Sequence, residues 1–172
     1  MAENTAGDAS PVSFGQKLAS SQAFSALFRD GMKLVEETAA YLDGPGRQES
    51  KRLDRSAALT YATESMRLTT RLMQLASWLL LHRAVKEGEM TLNQANREKT
   101  KVKLSAADPG PDEMLEKLPS QLQDLIARSM ALQTKVRRLD TTIHAPITER
   151  AAIGNPLVPQ LNRLKAAFER SR

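Results

Sequence analysis

The residues able to do chemistry are few and scattered. The chain has two histidines, His82 and His144, and no cysteine. No His-x-x-x-His or Glu-x-x-His pair places two ligands on one helix face, so the spacing a metal site needs is missing. Without cysteine there is no thiol nucleophile, zinc-thiolate site, iron–sulfur cluster or disulfide. His82 follows three leucines and reads as a partly exposed residue near a helix end. His144 closes a leucine-striped stretch and reads as a favourable charge at a helix C-terminus. Asp43-Gly44-Pro45-Gly46-Arg47 has the glycine content of a phosphate-cradling loop. It lacks a preceding strand and the Gly-Lys-Ser/Thr ending, so a tight turn between helices is the better reading. There is no Gly-x-Ser-x-Gly elbow, and Glu36-Glu37 reads as a solvated face rather than an acid/base couple. The expectation is no catalytic residue, no cofactor and no metal: not an enzyme.

Charge offers the other chemical possibility. The formal net charge is +5 and the pI about 9.7, compatible with an acidic partner but modest for nucleic acid. The basic run Arg97-Glu98-Lys99-Thr100-Lys101-Val102-Lys103 has no interleaved aromatics and no helix-turn-helix spacing. Arg47, Lys51, Arg52 and Arg55 alternate with Glu49 and Asp54, which mutes the local field. A basic helical nucleic-acid-binding regulator therefore stands as the alternative to a protein that works through protein–protein surfaces.

The elements behind these groups are helical. Leu and Ala number 23 each, against 6 Val and 4 Ile, a balance that favours helices over strands. A first helix starts at Ser20 or Ser21, both good N-caps. Its buried stripe is Phe24, Leu27, Phe28, Leu34, Val35 and Leu42, with Gly31 inside it at a close helix crossing. A second helix is expected from about Gln48 to Glu87, roughly 55–60 Å long. It carries Leu68, Leu72, Leu75 and Leu79 on one side, and Leu59, Ala62, Met66, Met73, Ala76 and Leu80 on the other. So wide an apolar face calls for more than one neighbour. Thr91 to Gln94 forms a capping box for a short helix. A last strong helix from near Pro119 places Leu118, Leu122, Leu125, Ser129, Leu132, Val136, Leu139 and Ile143 at alternating spacings of 4 and 3, the heptad mark of left-handed helix packing.

The expected fold is an all-α antiparallel bundle of three main helices, one of about 40 residues, with a short extra helix and a flexible C-terminal tail. Residues 1–19 read as a disordered N-terminal segment, 20–145 as the bundle domain and 146–172 as the tail. The tail carries a conditional amphipathic stripe, Leu157, Leu161, Leu164 and Phe168, taken as a partner-binding element. A dimer or bundle seam is expected at Met66, Leu68, Leu72, Met73 and Leu75. The first residues resemble neither a secretory signal nor a transit peptide, and no apolar stretch approaches a membrane span; a cytoplasmic protein is expected.

Two long strings carry a family resemblance. Val35 to Lys51 (VEETAAYLDGPGRQESK) and Tyr61 to Leu81 (YATESMRLTTRLMQLASWLLL), followed by Gly88-Glu-Met-Thr91, resemble the RcdA family, regulators of CtrA degradation. The likeness covers roughly residues 20–145. It implies a small helical bacterial protein, a homodimer, acting as a non-catalytic adaptor that delivers cell-cycle regulators of the CtrA type to the ClpXP protease. It also implies work alongside CpdR-like and PopA-like adaptors. No family binding residue maps onto a matching motif here.

Overall fold

A computed structural model describes residues 21–99, 101 and 110–144; the expected segments 1–19 and 146–172, including Leu157, Leu161, Leu164 and Phe168, lie outside the described residues. The described chain forms six helices and no strand. Helix α1 (Gln22–Asp43) begins where Ser21 Oγ accepts the Phe24 N–H at 3.3 Å, which satisfies one of the free donors of the first turn. Its inward stripe is Phe24, Gly31, Leu34, Thr38 and Tyr41. Gly44 ends it, and Pro45 opens the six-residue α2 (Pro45–Ser50).

The long helix, α3, spans Arg55–Lys86 and has 32 residues. It is shorter than the expected Gln48–Glu87 because Asp54 caps it: Asp54 Oδ1 accepts the Ala57 N–H at 2.9 Å, while Tyr41 Oη donates to Glu49 Oε2 at 2.7 Å and holds α2 against α1. Gly88, at φ +76°, follows its C-terminus, a backbone conformation that suits glycine. The capping box forms as expected: the Thr91 N–H donates to Gln94 Oε1 (2.9 Å) and the Gln94 N–H to Thr91 Oγ1 (3.2 Å). It starts α4 (Leu92–Lys99). The four-residue α5 (Asp112–Leu115) and the 25-residue α6 (Ser120–His144) complete the order.

Helices α1, α3 and α6 pack together, with α2, α4 and α5 against them. α1 runs antiparallel to both partners. Its start meets the end of α3, where Phe24 and Trp78 have ring centroids 6.3 Å apart and Lys86 Nζ donates to Ser25 Oγ. Its later half meets the early part of α6, where Glu37 pairs with Arg128 at 2.6 Å. Within this bundle α3 and α6 point the same way: Arg71 lies opposite Ser129 and Trp78 opposite Asp140. α4 is tied at the far end of α3, where Lys99 pairs with Asp140 at 2.5 Å. Gly110, just before α5, donates its N–H to Glu64 Oε1 at 3.1 Å, several turns back along α3.

The core is aliphatic with one indole. Leu68, Leu72, Leu75, Trp78 and Leu79 of α3 are buried against Leu122, Leu125, Leu132 and Val136 of α6 and Phe24, Leu34 and Tyr41 of α1. Each such side chain contributes on the order of 1.5–3 kcal/mol. The heptad stripe of α6 lies in this core, with Leu139 at its partly buried edge. The closest crossing is at Gly31, where an added Cβ would stand 2.5 Å from Leu79 Cδ1 and 3.6 Å from Leu132 Cδ2. Three helices meet there because one of them has no side chain.

Gly31→Ala is expected to lower stability by about 1 kcal/mol in urea denaturation, overpacking outweighing the gain in helix propensity. The double variant with Leu79→Ala should be more stable than the sum of the two single changes predicts.

Candidate interaction surface

The groups with chemical potential are dispersed by the fold. His82 is fully buried rather than partly exposed. Its ring stacks on Trp78 at 3.9 Å, with Nδ1 3.0 Å from the Trp78 carbonyl. It is set inside because it occupies the core register of α3, one turn after Trp78. His144 is the last residue of α6. Glu36 is exposed, whereas Glu37 pairs with Arg128. Among the described residues no three His, Asp or Glu side chains gather as metal ligands. Gly46 has no space for a phosphate: an added Cβ would lie 2.6 Å from Tyr61 Oη and 2.8 Å from the Tyr41 ring. The glycine-rich turn packs on two tyrosines. In the basic run, Lys99 turns in to Asp140 and Lys101 pairs with Glu98 at 2.9 Å. Neither presents an unpaired cation, so the nucleic-acid alternative gains no support from α4.

Polar residues that the sequence reading passed over lie in the core instead. Arg71 is buried and donates from Nη1 to Ser129 Oγ at 2.9 Å; Ser129 donates to the Ile126 carbonyl at 2.7 Å. The single polar residue of the heptad stripe is thus the acceptor for a buried guanidinium. Glu64 is buried too, and its Oε1 accepts from Arg67 Nη1 at 2.6 Å and from the Gly110 N–H. Trp78 Nε1 donates to Asp140 Oδ1 at 2.8 Å. The signal was register: Ala57, Thr60, Glu64, Leu68, Arg71, Leu75, Trp78 and His82 follow one 3–4 spacing, and all are buried.

The outer side of α3 is the opposite case. Leu59, Met66, Met73 and Leu80 are spaced by seven and are 70%, 73%, 67% and 53% exposed. From Leu59 to Leu80, every residue of α3 classed as exposed is one of these four, an alanine or a threonine, and none is charged. The nearby hydroxyls bond back into their own helix: Thr63 to the Leu59 carbonyl, Thr69 to that of Ser65 and Ser77 to that of Met73. These three hydroxyls therefore ask no hydrogen bond of a partner laid on this face. At the Leu80 end the face opens into a shallow depression of about 330 Å³ lined by Ser77, Leu80, Leu81, Ala84, Glu98 and Lys101. Four large apolar side chains exposed in line on one helix face make this the candidate interaction surface. The seam residues expected from sequence divide: Leu68, Leu72 and Leu75 pack within the chain, whereas Met66 and Met73 face outward.

Comparisons with known proteins bear on what this surface serves. A family described as "Protein of unknown function (DUF1465)" matches residues 15–168. The crystal structure of RcdA from Caulobacter crescentus CB15 is 51% identical to this chain; the alignment covers 76% of this chain and 98% of that one, with a TM-score of 0.60. No curated protein matches the chain. Among the described residues no helix is long and apolar enough to cross a membrane.

Two measurements test this geometry. Met66→Asp/Met73→Asp should melt within the narrow range of surface substitutions, about 0.5 kcal/mol per site, whereas Leu72→Asp should lose several kcal/mol by burying a carboxylate. Circular dichroism melts separate the two. The chain's two tyrosines are Tyr41 and Tyr61. Burial, and for Tyr41 also the bond to Glu49, raises both phenols above the ordinary range. A raised folded pKa gives stability that is present below the unfolded value and lost above it. Stability should therefore fall as pH passes about 10, and ultraviolet titration should show the phenols ionising together with unfolding.

Proposed function

The chain belongs to the RcdA family, and from that premise we propose that it is a non-catalytic, cytoplasmic adaptor that delivers cell-cycle regulators of the CtrA type to the ClpXP protease. The observation that carries this reading is the 51% identity over 98% of the RcdA chain. A fold whose strongest polar groups are spent in its own core, at Arg71–Ser129 and Glu64–Gly110, agrees with it. Adaptor and cargo meet through surfaces, and the work is positional. Holding a substrate beside the protease turns a weak second contact into an intramolecular one, at effective concentrations of about a millimolar for short flexible linkers.

In this reading residues 20–145 are the scaffold and 146–172 a separate arm. The stripe Leu157, Leu161, Leu164 and Phe168 is the arm's docking element for CpdR-like or PopA-like adaptors or for cargo. The outward face of α3, with Met66 and Met73 at its centre, joins a second copy in a homodimer. Its length and lack of charge support that assignment: Leu59 to Leu80 covers about 32 Å of helix, and a buried charge would oppose association.

Reconstituted proteolysis tests the proposal. With ClpXP, the CpdR-like and PopA-like adaptors and a CtrA-type regulator present, adding the protein should raise the rate of cargo loss several-fold. Removing residues 146–172 should lower that gain while leaving the melting transition nearly unchanged. A rate indifferent to the protein, across candidate cargoes, overturns the adaptor reading.

A further inference from the structure

The chain contains two halves of one packing pattern. One is the outer face of α3, where Leu59, Met66, Met73 and Leu80 repeat every seven residues. A seven-residue repeat drifts only about 20° per heptad on a straight helix, and it matches a second helix wound left-handed against it. The other is the C-terminal stripe Leu157, Leu161, Leu164 and Phe168, spaced 4-3-4, the same heptad family. Pro159 suits the first turn of a helix that would carry Leu161, Leu164 and Phe168. Val158, Gln160 and Ala167 beside this stripe are uncharged, while Arg163 and Lys165 flank Leu164; on α3 the half-buried Arg67, paired with Glu64, follows Met66.

Length and starting point favour contact within one chain. α6 ends at His144, next to the last half of α3, where Asp140 accepts from Trp78 and Ile143 is buried. Residues 145–156 give 12 residues of tether, at most about 40–43 Å when extended. The whole α3 face is about 32 Å long. Every point on it is in reach, and a tether of this length holds its end at about millimolar effective concentration.

We propose that residues 157–168 seat in cis on the uncharged outer face of α3, so that the chain's own C-terminal segment and a second copy compete for that face. The proposal rests on the reading of this face as the self-association surface, and it adds the regulation of it. The arm is the intramolecular cap of the face. Because both copies must lift their arms to pair, the penalty enters twice. An arm seated about nine-tenths of the time raises the apparent dimer Kd about a hundredfold.

The cysteine-free sequence allows clean labelling for the test. The dimer Kd is measured by sedimentation for the full chain, for the chain lacking residues 146–172, and for Leu161→Asp/Leu164→Asp. In parallel, spin labels at Thr69→Cys and Ser171→Cys report the distance between the face and the arm in dilute, monomeric protein. The proposal expects a tenfold to hundredfold tighter dimer in both arm variants, and a short, narrow label distance that Leu161→Asp/Leu164→Asp abolishes. An unchanged Kd with a broad distance distribution overturns it. A weaker dimer on removing the arm also overturns it, because the arm would then bridge copies. If no form of the chain self-associates, the dimer reading fails by itself. The label distance then decides alone, a short distance upholding the seat in cis and a broad one refuting it.

Discussion

A helix of 32 residues gains little from its own backbone in water, and most helical stability in proteins comes from packing one face. α3 is fixed along one side, where Leu68, Leu72, Leu75, Trp78 and Leu79 are buried against α1 and α6. That one-sided burial sets the orientation of everything else on the helix. Once Leu68 and Leu75 point inward, Met66 and Met73 must point outward, because positions two residues apart on a helix lie on nearly opposite sides. The close approach at Gly31 makes the grip tight, since α1 can lie against Leu79 and Leu132 only where it has no side chain. The rigid display of the outer face follows from packing on the inner one.

The buried polar groups constrain the same helix. An isolated charge in a core costs several kcal/mol, and it is tolerated where partners are supplied. Arg71 meets Ser129 and Glu64 meets the Gly110 N–H. These bonds join α3 to segments 58 and 46 residues away. Slipping α6 by one turn along α3 would separate Arg71 from Ser129 and Trp78 from Asp140 together. Aliphatic side chains alone discriminate poorly between such registers, since leucine meets leucine in each. The polar contacts raise the cost of the wrong ones.

Much of the fold was legible in the residues. Ser21, the Thr91–Gln94 box, the turn at Gly44 and Gly46, and the 4-3 stripe of α6 each act through local physics that a sequence exposes. The break at Leu53–Asp54 was less visible, because a capping aspartate inside a run of good helix formers is a weak signal until its side chain is seen on the Ala57 N–H. The facing of α3 was legible in part. Its two apolar series were plain, but periodicity alone does not say which series the chain buries and which it leaves outside. That choice depends on α1 and α6 both arriving on the Leu68–Leu75 side. The burial of Arg71, Glu64 and His82 escaped composition-based reasoning, which places charged and imidazole groups outside; their register with Leu68 and Leu75 carried the information.

The chemistry of the outer face also bears on the strength of any contact there. Interface hot spots are enriched in Trp, Tyr and Arg seated in desolvated pockets, and none of the exposed residues from Leu59 to Leu80 is one of these. It offers two leucines and two methionines over threonine and alanine. Methionine is unbranched and adapts to differently shaped partners, and the hydroxyls of Thr63 and Thr69 are satisfied by their own helix. Such a composition suits contacts of little geometric selectivity and modest intrinsic affinity. They become effective when a tether or a second contact supplies concentration.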